Sequence, residues 1–221
     1  PITPRLYSIS SSPKSHPREV HLTVAIVKYD NFERDRFGLA TGELSNRIEV
    51  NKTRIPVYIQ PTKEFVIPED NSEDIIMVGP GTGIAPFRAF LEQRIEEKGA
   101  GRNWLFFGEV HEKSTFFYKD EWFEAMKKGH LQKLTTAFSR DQEHKIYVQH
   151  RLLGNSKEIW EWLQSGSYFY VCGDKQYMAK DVHSALIEIA QKEGKLKKED
   201  AENYINQTLM KDERRYLRDV Y

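Results

Sequence analysis

The chain has 221 residues, enough for one large domain or two small ones with a full core. Lys plus Arg is 33 and Asp plus Glu is 33, so the formal net charge is zero, which argues against a nucleic-acid partner or a polybasic membrane tail. A lone cysteine, Cys172, excludes an internal disulfide and a cysteine-based metal cluster, and no apolar run approaches a membrane span; a cytoplasmic protein without a metal is expected.

The first 70 residues read as short and strand-like. Segments 21–27 (H-L-T-V-A-I-V) and 55–59 (I-P-V-Y-I) are β-rich, Pro and Ser punctuate the gaps, and residues 38–50 can hold one short helix. After residue 70 strands alternate with helices. Expected strands are 75–78, 103–107, 133–138 and 168–172; expected helices are 86–97, 119–128, 148–153, 158–164, 177–192 and 198–209. That alternation predicts a doubly wound parallel sheet, with the two parts divided as 1–70 and 71–221. The charged stretch 193–200 reads as a solvated interhelical loop.

Between the first of those strands and its helix stands V-G-P-G-T-G-I-A-P. Its three glycines allow a sharp turn and a close approach to a phosphate, and the following helix offers free N–H groups. Ligands of such sheets sit at the carboxyl ends of the strands. Four segments fall there: 79–83, 108–111, 139–142 and 172–174. In the third, Ser139 and Arg140 are followed by Lys145, Tyr147 and Gln149. A hydroxyl and two cations suit a phosphomonoester, and Tyr147 suits an adenine face; an ordinary charged solvent loop would read the same. Beside a pyrophosphate turn the cations point to the extra phosphate of NADPH rather than to NADH.

These motifs occur in one order: R-L-Y-S, G-L-A-T, G-P-G-T-G-I-A-P, S-R-x-x-x-x-K-x-Y-V-Q, Y-V-C-G-D and a terminal R-R-Y-L-R-D-V-Y. Together they resemble the ferredoxin–NADP reductase-like module of diflavin reductases, with the last eight residues similar to the sulfite-reductase branch. The resemblance implies a partial antiparallel FAD-binding barrel followed by an NADP-binding domain. It implies contact with FAD for Arg5, Leu6, Tyr7, Ser8, Thr23, Val24, Ala25, Tyr29, Gly38, Leu39, Ala40 and Thr41. It implies contact with NADP(H) for Thr82, Ser139, Arg140, Lys145, Ile146, Tyr147, Val148, Gln149 and Asp181. Tyr221 would cover the flavin face where nicotinamide must sit. Ser8, Cys172 and Asp219 would form the hydride-transfer group, whose work is alignment and electrostatics.

The same resemblance implies an FMN-binding flavodoxin-like domain and a haem acceptor, a sulfite-reducing haemoprotein or another, as partners. The alternative left open is a nucleotide-binding module without redox chemistry. The chain opens at R-L-Y-S, so the opening barrel strands and the FMN domain are expected elsewhere in a longer reductase. Weak retention of FAD by the chain alone is expected in consequence.

Overall fold

The computed structural model describes residues 3–30, 32 and 34–221. Its main sheet holds β3 (Ile75–Val78), β4 (Asn103–Glu109), β5 (Lys133–Phe138), β6 (Tyr168–Gly173) and β7 (Tyr216–Val220), in the order β5-β4-β3-β6-β7 with all neighbours parallel. Successive side chains of a strand point to opposite faces, so an unbroken apolar strand such as β3 feeds two cores. Ile75 and Met77 join Phe87, Leu91, Trp122 and Tyr170 on one face. Ile76 and Val78 join Leu152, Ile159, Trp162, Leu186 and Ile189 on the other. The first face is covered by α2 (Ala85–Glu96) and α4 (Lys119–Lys127). The second is covered by α5 (Val148–Gly154), α6 (Ser156–Gln164) and α7 (Met178–Glu193).

The chain winds from β3 to β4 and β5 on one side, then crosses to β6 and β7 on the other. The reversal lies between β3 and β6, which fixes the crevice at their carboxyl ends. A short α3 (Glu112–Thr115) precedes α4, and α8 (Lys198–Asn203) leads into a π-helix, Tyr204–Asp212. One α-helix over 198–209 was the expectation. Ala201, Ile205 and Leu209, four residues apart, form one buried stripe along both parts. Among the described residues no helix is long and apolar enough to cross a membrane.

In the first 70 residues, β1 (Lys28–Asp30) pairs antiparallel with β2 (Asp35–Phe37), and α1 (Leu39–Asn46) follows. Segment 21–27 makes a single bridge, Ile9 to Leu22, rather than a strand. Segment 55–59 forms no ladder, and Val57 and Ile59 are 81% and 70% exposed. β-rich composition reports a side chain's fit to a pleated, half-buried surface; without a neighbouring strand no ladder forms. Phe65 packs into one core of the main sheet, where its ring meets those of Phe90 and Tyr170 at 5.6 and 5.5 Å.

Candidate cofactor site

β3 ends in a tight turn whose three glycines have separate reasons. A Cβ on Gly79 would lie 2.5 Å from Gly83 O and 2.6 Å from the Phe87 ring; one on Gly83 would lie 2.1 Å from Cys172 O. Gly81 takes φ +57°, which L side chains rarely adopt. The turn therefore packs directly against the end of β6. Residues 81–84 form a 3-10 turn that runs into α2, so the first peptide N–H groups lack helical partners and point along the positive end of the dipole. That is the geometry a pyrophosphate requires.

Cys172 stands opposite Asp219 in the β6–β7 register, its sulfur 3.9 Å from Asp219 Oδ2. The Ser8 hydroxyl donates to the same oxygen at 3.2 Å. The three residues expected to serve hydride transfer thus meet at one point, from segments 211 residues apart in sequence. Burial, with the Asp219 carboxylate beside it, pushes the Cys172 thiol well up, so it stays protonated. Tyr221 is held by backbone bonds to Gly173 and Lys175, and its hydroxyl lies 3.1 Å from Thr82 Oγ1 in the glycine-rich turn. Burial raises the Tyr221 phenol, against the Thr82 hydrogen bond.

On the far side of Thr82 lies a cavity of about 310 Å³, lined by Leu22, Thr23, Val24, Ala25, Thr82, Phe117 and Tyr118. Thr23 and Tyr118 share a hydroxyl hydrogen bond of 2.7 Å across it. Thr23, Val24 and Ala25 are residues expected beside FAD, and here they border the residue expected on the nucleotide pyrophosphate. The open, mainly apolar lining with three hydroxyls, those of Thr23, Thr82 and Tyr118, fits the edge of a flavin ring. Arg5 and Leu6 are exposed and Tyr7 is half-buried. Tyr29 lies on β1, half-exposed; Gly38 precedes α1, whose first residues are Leu39, Ala40 and Thr41. Gly38 N–H donates to Val27 O, and Thr41 Oγ1 accepts from Val27 N–H. The Thr41 hydroxyl is therefore committed to holding the turn, while Gly38 leaves no room for a Cβ, which would sit 2.8 Å from Thr41 Oγ1.

The expected 2′-phosphate group gathers after β5. Backbone bonds from Ser139 to Glu109 and from Arg140 to Val110 tie the loop to the end of β4. Arg140 and Lys145 are exposed, and among the described residues neither enters an ion pair. Ile146 packs on the core and Val148 is buried, so they anchor the loop. Tyr147 caps α5 and is 41% exposed, and Gln149 Nε2 donates to Asp181 Oδ2 at 2.9 Å. The structure thus joins Gln149 and Asp181, which lie 32 positions apart. Asp174, at the end of β6, accepts from the N–H groups of Tyr177 and Met178 and starts α7; those bonds lower its carboxyl pKa.

Three features escaped sequence reasoning. β7, which presents Asp219, is a five-residue strand rich in charge and carries no apolar run. Phe117 and Tyr118 precede α4, and Tyr118 adopts φ +58°, for which F-F-Y gives no signal. Arg88, in A-P-F-R just past the glycines, reads as an exposed helix cation, yet its side chain is only 11% exposed.

Residues 77–184 match the oxidoreductase NAD-binding domain family, and residues 1–42 match the FAD binding domain family. Over all 221 residues the chain is 49% identical to the sulfite reductase [NADPH] flavoprotein alpha-component of Mannheimia succiniciproducens. It is 49% identical over 220 residues to that of Vibrio parahaemolyticus. It is 48% identical over 217 residues, 98% of the chain, to that of Bacillus subtilis. The chain spans about 36% of the length of these relatives. It belongs to the family of FAD- and NAD(P)-binding oxidoreductases represented by the sulfite reductase flavoprotein alpha-components.

Proposed function

We propose that the chain is the FAD- and NADPH-handling part of an NADPH-dependent flavoprotein reductase, with residues 1–70 serving the flavin and 71–221 the nucleotide. The observation that carries this reading is the meeting of Ser8, Cys172 and Asp219 at the sheet's switch point, beside Thr82. When bound, FAD would supply the N5 acceptor for the hydride of the nicotinamide C4, and a single proton from solvent would complete its reduction. The chain's residues align and stabilise. The glycine-rich turn and Thr82 hold the pyrophosphate; Arg140, Lys145 and Ser139 hold the 2′-phosphate; Tyr147 stacks on adenine, with Gln149 and Asp181 beside it. Asp219 steadies positive charge developing on the nicotinamide and accepts from Ser8, which fixes that hydroxyl. Cys172, protonated and buried, packs as a small neutral surface at the reacting edge.

FMN on a flavodoxin-like domain would be the onward carrier, and a haemoprotein, on the likeness to the alpha-components a sulfite reductase, is the proposed acceptor. The reducing cytoplasm is the proposed compartment, supported by one unpaired thiol. Anaerobic mixing of NADPH with the flavin-loaded full-length protein tests the reading. Bleaching of flavin absorbance is expected, faster with NADPH than with NADH; unbleached flavin overturns it.

A further inference from the structure

The N-terminal segment lies along a polar stripe of α2. Ser12 N–H donates to Glu92 Oε2 at 2.8 Å, and the Ser12 hydroxyl donates to Gln93. Ser15 meets Glu96, and Lys14 meets Glu97. The Ser15 and Lys14 contacts each join one side chain to one partner near solvent. Arg88, at the head of the stripe, differs. Its Nη1 donates to Ser10 O at 2.7 Å, its Nε to Glu121 Oε2 at 2.6 Å, and its Nη2 lies 3.0 Å from Glu92 Oε1. Its guanidinium also lies 4.9 Å from the centre of the Tyr118 ring. One planar fork therefore binds the N-terminal segment, α2 and the start of α4 together.

Both ends of that tie lead to the reacting site. Ser10 is two residues from Ser8, whose hydroxyl must reach Asp219. Tyr118 carries the hydroxyl that meets Thr23 in the cavity wall. We propose that Arg88 is a positioning residue: it sets the spacing between the N-terminal segment and the nucleotide-binding half, and so brings Ser8 to Asp219 and Thr23 to Tyr118. The proposal deepens the reductase reading and rests on it for its kinetic arm only.

The nearby His16, Glu19 and His21 have ligand atoms within 4.8 Å of one another, which suggests a metal. Arg88 argues against one. Its Nη1 lies 3.2 Å from His21 Nδ1, which must accept, so the proton of the neutral ring sits on Nε2, facing Glu19 at 2.9 Å. A metal on Nε2 would require the opposite tautomer, with two donors face to face. These side chains are part of the same seam.

The test uses Arg88→Met and Arg88→Lys in the full-length protein, with Lys14→Ala as the control on an exposed seam contact. In Arg88→Met, flavin reduction at saturating NADPH should slow about a hundredfold, the scale of a misplacement near 1 Å, while the NADP dissociation constant stays within about twofold. Arg88→Lys should recover only a small part, since an ammonium cannot serve three directions. Lys14→Ala should react at the parent rate. Without cofactors, amide exchange in residues 9–23 of Arg88→Met should rise about tenfold, with β3 and β6 unchanged. An unchanged exchange pattern overturns the proposal, as does a rise spread equally over β3 and β6. Equal slowing by Lys14→Ala also overturns it. A parent protein whose flavin NADPH leaves oxidised defeats the reductase reading instead, and the exchange arm still decides the role of Arg88.

Discussion

The Ser8 hydroxyl donates to Asp219 Oδ2 at 3.2 Å, joining the first described segment of the chain to its last strand. The same carboxylate lies 3.9 Å from Cys172 Sγ, so one acid organises both neighbours. Asp219→Asn should slow flavin reduction at saturating NADPH by about ten- to a hundredfold, the range for losing a hydrogen bond to a charged group. NADP binding should barely change, because the adenosine end lies elsewhere. A loss of affinity equal to the loss of rate would return Asp219 to a structural role.

The thiol gives an independent check of the same geometry. Burial comes first and the Asp219 charge second among the causes that push the Cys172 pKa up. Alkylation of Cys172 in the folded protein should therefore stay slow across the neutral and mildly alkaline range, where a free thiol would ionise. Asp219→Asn removes the neighbouring charge and leaves the burial, and should speed alkylation. A parent protein that alkylates as fast as free cysteine would contradict the burial of this group.

Selectivity should reside in Arg140 and Lys145. Both are exposed, and a 2′-phosphate gives them a dianion to bind. Each lost charged hydrogen bond costs about 1.5–3 kcal/mol, or roughly ten- to a hundredfold in affinity. Replacing both by Ala should weaken NADPH binding by at least that factor and leave NADH nearly untouched. Calorimetry that finds equal losses for the two nucleotides would remove the 2′-phosphate assignment.

How far the sequence carried the reading follows from what each signal was made of. Strands buried on both faces announced themselves as apolar runs, which placed 75–78 and 168–172 and with them the glycine turn and Cys172. Asp219 was found by its motif, but its strand was not. β7 is R-D-charged and half-exposed, and only its register with β6 makes it a strand. Segment 55–59 failed the other way: its β-branched residues have no partner to pair with. Arg88 and Tyr118 were invisible because their roles consist of contacts with Ser10, Glu121 and Thr23, and spacing along the chain encodes none of these.

Glu97 gives the seam a pH signature. Hydrogen bonds from Lys14, then Asn71 and Gln93, hold its carboxyl down to about 2, from an ordinary 4.5. A carboxylate depressed in the fold contributes stability above its unfolded pKa and loses it as pH falls through the folded value. That contribution should be full above about pH 4.5 and fade toward pH 2. Glu97→Gln should lower stability at neutral pH and flatten the acid limb of the denaturation midpoint. Parallel limbs in the two proteins would show that the group is not depressed.

The Tyr221 hydroxyl contacts Thr82 Oγ1 at 3.1 Å, and Thr82 is the residue proposed to hold the pyrophosphate. If both use one hydroxyl, docking the phenol and binding the nucleotide compete. A ring that must move before nicotinamide can sit lowers the apparent affinity by the fraction of time it is docked. Tyr221→Phe removes only the hydroxyl contact, about 0.5–1.5 kcal/mol for a neutral hydrogen bond. It should bind oxidised NADP more tightly by roughly two- to tenfold. Tyr221→Ala removes the ring as well and should bind tighter still and use NADH better. The two variants separate the parts of the gate: equal gains would assign all the competition to the hydroxyl, and a gain only in Tyr221→Ala would assign it to the ring. Weaker binding in both would make Tyr221 part of the nucleotide's own binding surface, and competition at Thr82 would be refuted.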